Sequence, residues 1–189
     1  MRPLTYATLI GLIASTGLRV GEAIRLTVRD IHFDADPTHL VVLQTKFRKS
    51  RLVPLHSSTA DQLRLYAQER KRLHYDGLSD AFFVSEQGSH LRYDAVWQTF
   101  IGLTRRAGIR NDDGSGRPCI HGLRHSFAVG RMLDWYCRGL SVNDLLPTLS
   151  VYMGHVHPAN TYWYLTATPE LLNAAGESFE KFARQGGDQ

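Results

Sequence analysis

From residue 3 to residue 15 the chain reads as a helix. Pro3 stands in its first turn, and Leu4, Ala7/Thr8, Gly11/Leu12 and Ser15 recur along one stripe. Gly17 marks the end of that helix, and a second, short helix is predicted from about Val20 to Leu26. Three β-rich runs follow, Ile31–Phe33, Leu40–Gln44 and Leu52–Leu55, divided by turn material such as Asp34-Ala35-Asp36-Pro37. They predict a small antiparallel sheet of three strands whose last hairpin carries a lysine-rich turn. Beyond it the apolar positions take a helical period. Ser57–Arg72 is amphipathic, and Val96, Phe100, Leu103 and Ala107 form an apolar stripe in the next helix. After a loop at Asn111–Gly116, a helix is predicted from about His121 to Tyr136. Pro147 is predicted to open a short helix that Gly154 closes, and Pro158 another that ends near Tyr164. Thr168-Pro169-Glu170 caps a last helix, with Leu172, Ala175, Phe179 and Phe182 on one face. The predicted fold class is α+β, a mainly helical domain with a small three-stranded antiparallel sheet near the N-terminus. No repeat divides the chain, so residues 1–189 are expected to form a single domain with a tail helix at about 169–183.

Composition alters this picture little. The chain is 43% hydrophobic and 21% charged, ordinary for a globular protein, and 189 residues suffice for a sizeable core. No apolar run approaches the roughly 20 residues of a membrane span, and the start lacks the shape of a secretory signal. Cys119 and Cys137 have neither metal-ligand spacing nor an evident disulfide logic, which fits a reduced compartment. A cytoplasmic protein without a membrane partner is expected. Charge adds more. The net charge is +4, and Lys46, Arg48, Lys49 and Arg51 fall together, followed by Arg64, Arg70, Lys71 and Arg72. Clustered cations suit a phosphate backbone, whose neutralisation releases counterions. Taken alone, they fit a solvated hairpin and helix as well.

Four segments carry candidate chemistry: Thr16–Glu22, Thr45–Leu55, His121–His125 and Met153–Tyr164. Breaking a phosphodiester without a metal needs a nucleophile, stabilisation of the charge on the non-bridging oxygens, and a proton for the leaving 5′ oxygen. Arginine suits the second task, because its planar fork donates bidentate hydrogen bonds and stays charged. A pre-aimed donor of this kind is typically worth roughly 10²–10³ in rate. His121 and Arg124 stand three residues apart, a spacing that puts both on one helix face. A salt-bridged arginine beside a capping histidine has the same pattern. His121-x-x-x-His125 resembles a zinc helix, but Gly122 occupies the place of the glutamate that a zinc-protease motif needs, so no metal is expected. A tyrosine beside Trp163 and Tyr162 is more often packing than nucleophile. To attack at neutral pH, Tyr164 needs neighbouring cations or a base. His155, nine positions earlier across a turn broken by Gly and Pro, is placed to fold back beside it. Lys46, on the hairpin, is a candidate general acid.

In this order, the segments resemble the catalytic domain of the tyrosine recombinases, the phage integrase family, from about Leu4 to Phe182. The resemblance rests on Thr16-Gly17-Leu18-Arg19 with Glu22 three residues on, on Lys46 followed by Arg51-Leu52-Val53-Pro54-Leu55, on His121-x-x-Arg124, on Met153-Gly154-His155, and on Tyr164. Methionine replaces the usual leucine of the Leu-Gly-His box. The resemblance implies that Arg19, Arg124 and His155 hold the scissile phosphate while Lys46 protonates the 5′ oxygen. His121 would assist proton transfer from Tyr164, and Glu22 would orient its neighbours. Arg48, Lys49 and Arg51 are the expected DNA contacts. Tyr162 is the rival nucleophile and Lys49 the rival lysine; the family spacing points to Tyr164 and Lys46.

The same resemblance implies strand exchange in double-stranded DNA through a 3′-phosphotyrosine, with no metal, ATP or other cofactor. The chain opens inside the catalytic domain, so the separate N-terminal core-binding domain is expected to be absent. DNA binding by this chain alone is then expected to be weak and salt-sensitive. In an intact enzyme the resemblance implies a tetramer on DNA, coupled by the segment after the nucleophile, whereas this chain alone is expected to be monomeric. Nucleoid-associated localisation follows from the DNA partner. Two alternatives share the residues, a type IB topoisomerase-like enzyme and a non-catalytic DNA-binding remnant.

Overall fold

The computed structural model describes residues 1–43, 50–109, 118–155, 157, 159–162, 164, 171 and 176. Lys46, Arg48, Lys49, the loop at 111–116 and nearly all of the expected tail helix lie outside the described residues. The chain divides into two compact units, Met1–Arg124 and His125–Gln189.

In the first unit α1 (Arg2–Thr16) is followed by α2 (Val20–Ala23), by β1 (Ile31–His32), β2 (His39–Leu43) and β3 (Ser50–Pro54), and by α3 (Ser57–Arg72) and α4 (Tyr93–Arg106). Gly17 ends α1 in the left-handed region at φ 65°, donating its N–H to the Ile13 carbonyl as such a cap requires. The buried face of α1 overlaps the stripe predicted from sequence only at Thr8 and Leu12. Thr5, Tyr6, Thr8, Leu9, Leu12, Ile13 and Thr16 are buried, while Ala7, Gly11 and Ser15 face solvent. The helix is apolar nearly all round, so its pattern alone does not settle which side packs inward. In α4, similarly, Val96, Phe100 and Thr104 are buried with Ile101, and Leu103 and Ala107 turn outward.

The sheet is antiparallel in the order β1-β2-β3. Leu40 pairs with Val53 and Val42 with Arg51, so these four share one face; Val41 and Leu52 share the other. Leu40, Val42 and Val53 are buried, whereas Leu52 is exposed. The core of this unit continues through Leu9, Leu12, Ile13, Leu63 and an aromatic group of Tyr66, Phe82 and Phe83. The Tyr66 hydroxyl accepts the Val84 N–H at 3.1 Å and shares a hydrogen bond with Thr5 Oγ1.

Helix α5 (Ile120–Cys137) contains the boundary between the units, which falls after Arg124. The second unit packs the rest of α5 with α6 (Val142–Met153) and α7 (Ala159–Tyr162). Its core joins Ala128, Val129 and Met132 to Val142, Leu146, Leu149, Met153, Tyr164 and Leu171. The sequence predicts that Pro147 opens a helix, but α6 starts at Val142 and Pro147 lies inside it. A buried stripe at Val142, Leu146, Leu149 and Met153 outweighs the roughly 3 kcal/mol that an interior proline costs. Pro147 and Asn143, whose carbonyl loses its N–H partner, both face solvent. Cys119 and Cys137 are free thiols.

Candidate active site

In the first unit the candidates gather around the turn between α1 and α2. Arg19 is the residue before α2, in extended conformation at φ −67°, ψ 141°. Its backbone N–H donates to Glu22 Oε2 at 2.9 Å and its Nη1 to Glu22 Oε1 at 3.0 Å. The Glu22 carboxylate is buried. It also accepts both ends of the Arg51 fork, Nη1 on Oε1 at 3.1 Å and Nη2 on Oε2 at 2.8 Å. Burial pushes this carboxyl up, but the Arg51 hydrogen bonds and the charges of Arg51 and Arg19 outweigh that and hold it below its ordinary value. Glu22 is therefore a fixed anion that locks one turn of backbone to two guanidinium groups. The Arg19 side chain stays 39% exposed.

Arg124 is among the most deeply buried side chains, at 1% exposure. Its Nη1 donates to the Gly17 carbonyl at 2.6 Å. The same short turn is thus held at two points, by Arg124 at Gly17 and by Glu22 at Arg19. His121, one helical turn before Arg124, is exposed. The three-residue spacing holds, but the two side chains lie in different surroundings.

In the second unit Tyr164 lies two residues past the end of α7 and is 5% exposed, against 47% for Tyr162. Two imidazoles face the Tyr164 ring. His155 lies 6.1 Å away between centroids and nearly parallel, at 17°; His125 lies 5.1 Å away, tilted by 46°. His155 follows Gly154, which ends α6 in the left-handed region at φ 68°. Its Nδ1 shares a 2.8 Å hydrogen bond with Thr161 Oγ1, and Thr161 is fully buried. Both imidazole rings thus lie against the Tyr164 ring, and an anchored imidazole keeps one ring orientation.

Sequence reasoning weighs His125 only as half of a zinc pair and gives it no role; its position directly after Arg124 is the signal that it continues the same box. Arg51, expected among the DNA contacts, has its fork on Glu22. Period-two alternation carried the sign: Arg51 shares a strand face with Val53. Among the described residues no group of three or more His, Cys, Asp or Glu side chains is placed to hold a metal. Among them, too, no helix is long and apolar enough to cross a membrane.

Residues 2–170 match the phage integrase family. The chain is 43% identical over 183 residues to the protein y4rB of Sinorhizobium fredii, named as an integrase/recombinase; the match covers 96% of this chain and 57% of that one. It is 34% identical over 173 residues to the tyrosine recombinase XerD of Oceanobacillus iheyensis, covering 90% and 53%. Its fold is similar to that of the XerH site-specific recombinase, solved with a palindromic difH substrate as a post-cleavage complex. The TM-score is 0.69 at 24% identity, over 93% of this chain and 46% of that one. The chain spans about half the length of the curated relatives it matches.

Proposed function

Because the chain belongs to the phage integrase family, we propose that it is the catalytic part of a site-specific DNA recombinase or integrase that cleaves and rejoins double-stranded DNA through a 3′-phosphotyrosine. The Tyr164 phenolic oxygen attacks the scissile phosphorus. The bond from phosphorus to the 5′ oxygen breaks, leaving the 3′ phosphate on Tyr164 and a free 5′-hydroxyl. Arg19, Arg124 and His155 stabilise the charge on the non-bridging oxygens. Lys46 supplies the proton for the departing 5′ oxygen, and the phenolic proton of Tyr164 is a second one, whose transfer His121 assists. A 5′-hydroxyl from another strand then attacks the phosphotyrosine and regenerates the phenol. The phosphodiester's energy is conserved in the covalent bond, so the reaction proceeds without metal, ATP or other cofactor.

The observation that carries this reading is the placement of Tyr164 against His155, the histidine nine residues before it, with His155 pinned by Thr161. Glu22 supports the reading from the first unit, because it orients Arg19 by backbone and side chain together. Arg48 and Lys49 serve as phosphate contacts. In the whole protein the partner is double-stranded DNA in the cytoplasm, at the nucleoid, and the active assembly is a tetramer on that DNA. The family match and the recombinase relatives do not favour a topoisomerase-like enzyme or an inactive DNA-binding remnant.

Incubation with a nicked suicide DNA duplex tests the proposal directly. A covalent protein–DNA adduct is expected from the wild-type chain and from Tyr162→Phe, and none from Tyr164→Phe. An adduct that persists in Tyr164→Phe would sink the nucleophile assignment.

A further inference from the structure

We infer that Arg51 is a positioning residue for strand cleavage, fixing Arg19 through the Glu22 carboxylate rather than contacting DNA. The inference deepens the proposed function and rests on it. Strand register comes first. Arg51 pairs with Val42 and alternates with Val53, so the pleat turns its side chain to the buried face of the sheet. The other face of the strand, where Leu52 stands, is the one exposed to solvent. Only 10% of the Arg51 side chain meets solvent, against 39% for Arg19.

Geometry comes second. Both terminal nitrogens of Arg51 lie on Glu22, one per oxygen, the planar match that an arginine makes with a carboxylate. The same two oxygens hold Arg19, one by its backbone N–H and one by its Nη1. Arg51 therefore limits the rotation of the group that sets Arg19. It also ties α2 to β3, and Arg51 lies five residues after Lys46 in the chain. One ion cluster thus connects the strand that follows the proposed general acid to a proposed phosphate ligand. Lysine cannot replace this fork, because a point charge cannot satisfy both oxygens in one plane.

The test compares wild type, Arg51→Met and Arg51→Lys in two assays. Single-turnover adduct formation on suicide DNA, at saturating DNA, reads cleavage. Fluorescence anisotropy between about 50 and 200 mM salt reads binding. Arg51→Met is expected to slow cleavage by about 10–100-fold, the scale of losing an outer-shell partner that orients a functional group, with the slope of log Kd against log salt unchanged. Arg51→Lys should recover only part of the rate. Glu22→Gln combined with Arg51→Met should be no slower than Glu22→Gln alone, since both act on one group. A salt slope reduced by about one unit in Arg51→Met, with cleavage intact at saturating DNA, would assign Arg51 to a phosphate and overturn the inference. Should Arg51→Met fail to fold, Arg51→Gln, which also removes the charge, carries the same comparison. If the wild type forms no adduct, the proposed function falls, and the salt slope still decides Arg51: unchanged upholds the buried anchor, and a one-unit loss refutes it.

Discussion

Glu22→Gln gives a magnitude that follows from the turn around Arg19. Glutamine keeps the shape of the side chain but removes the charge and replaces one acceptor oxygen with an N–H₂ donor. In the native turn both Glu22 oxygens receive donors, from Arg19 N, Arg19 Nη1 and the two ends of the Arg51 fork. The substituted amide would point N–H groups at a guanidinium. Removing one partner of a buried ion pair costs about 3–5 kcal/mol, because the other is left buried and uncompensated. Arg19 is open enough for water to replace part of its share, and Arg51 is not. A loss of about 2–4 kcal/mol at pH 7 is expected, a large part of the 5–15 kcal/mol typical of a domain. Urea unfolding followed by circular dichroism should show the midpoint falling by about 1–2 M at a typical slope of about 2 kcal/mol/M. The pH dependence gives a second readout. The Glu22 carboxyl is held below its ordinary value of 4.5, so folding favours its charged form. Its contribution is complete above the unfolded value and is lost as pH falls through the folded one. The gap between wild type and variant should stay constant from pH 7 to about 5 and close below that. A gap under about 0.5 kcal/mol at pH 7, or one that does not narrow as pH falls below the unfolded value, would refute the ion-cluster account.

Further expectations concern other parts of the structure. Thr161→Val removes the hydroxyl on His155 Nδ1 and should slow adduct formation by about 10-fold with DNA affinity kept; an unchanged rate would show that the bond does not set the imidazole. Gly17→Ala forces a side chain into the left-handed region at φ 65° and should cost about 1 kcal/mol, read as a melting temperature lower by about 2–4 °C. Met132→Ala empties a fully buried position beside the Tyr164 cluster and should cost about 2–5 kcal/mol in urea. A loss below about 1 kcal/mol there would mean that the second core is loosely packed.

Much of the fold was legible because its signals are local. Gly17 marked a helix end, and alternation around Leu40 and Val53 gave the strands. The ordered boxes named Arg19, Glu22, Arg124, His155 and Tyr164; in the structure Arg19 and Glu22 share one turn, and His155 lies against Tyr164. Orientation was less legible. An all-round apolar α1 has no preferred face in its own pattern, and only packing against the rest of the unit selected one. Pro147 was misleading because proline's helix-start preference is a weak local term against four buried apolar side chains. Arg51 lay in a basic cluster, whose composition does not reveal that its fork meets Glu22. The tilt of His125 against Tyr164 depends on tertiary placement, which no spacing rule contains.

The bond from Arg124 to the Gly17 carbonyl joins residues 107 positions apart. Loop closure of that span is among the slower and costlier steps a chain of this size faces. Glu22 and Arg51, by contrast, are separated by 29 positions and meet within the first third of the chain. During synthesis the anion cluster can therefore assemble while the turn still lacks its second anchor. At roughly 5–20 residues per second the ribosome delivers Arg124 about 5–20 s after Gly17. Until then Arg124 is not there to hold the Gly17 carbonyl. The order of translation thus keeps the cleavage apparatus incomplete while the protein is still being made.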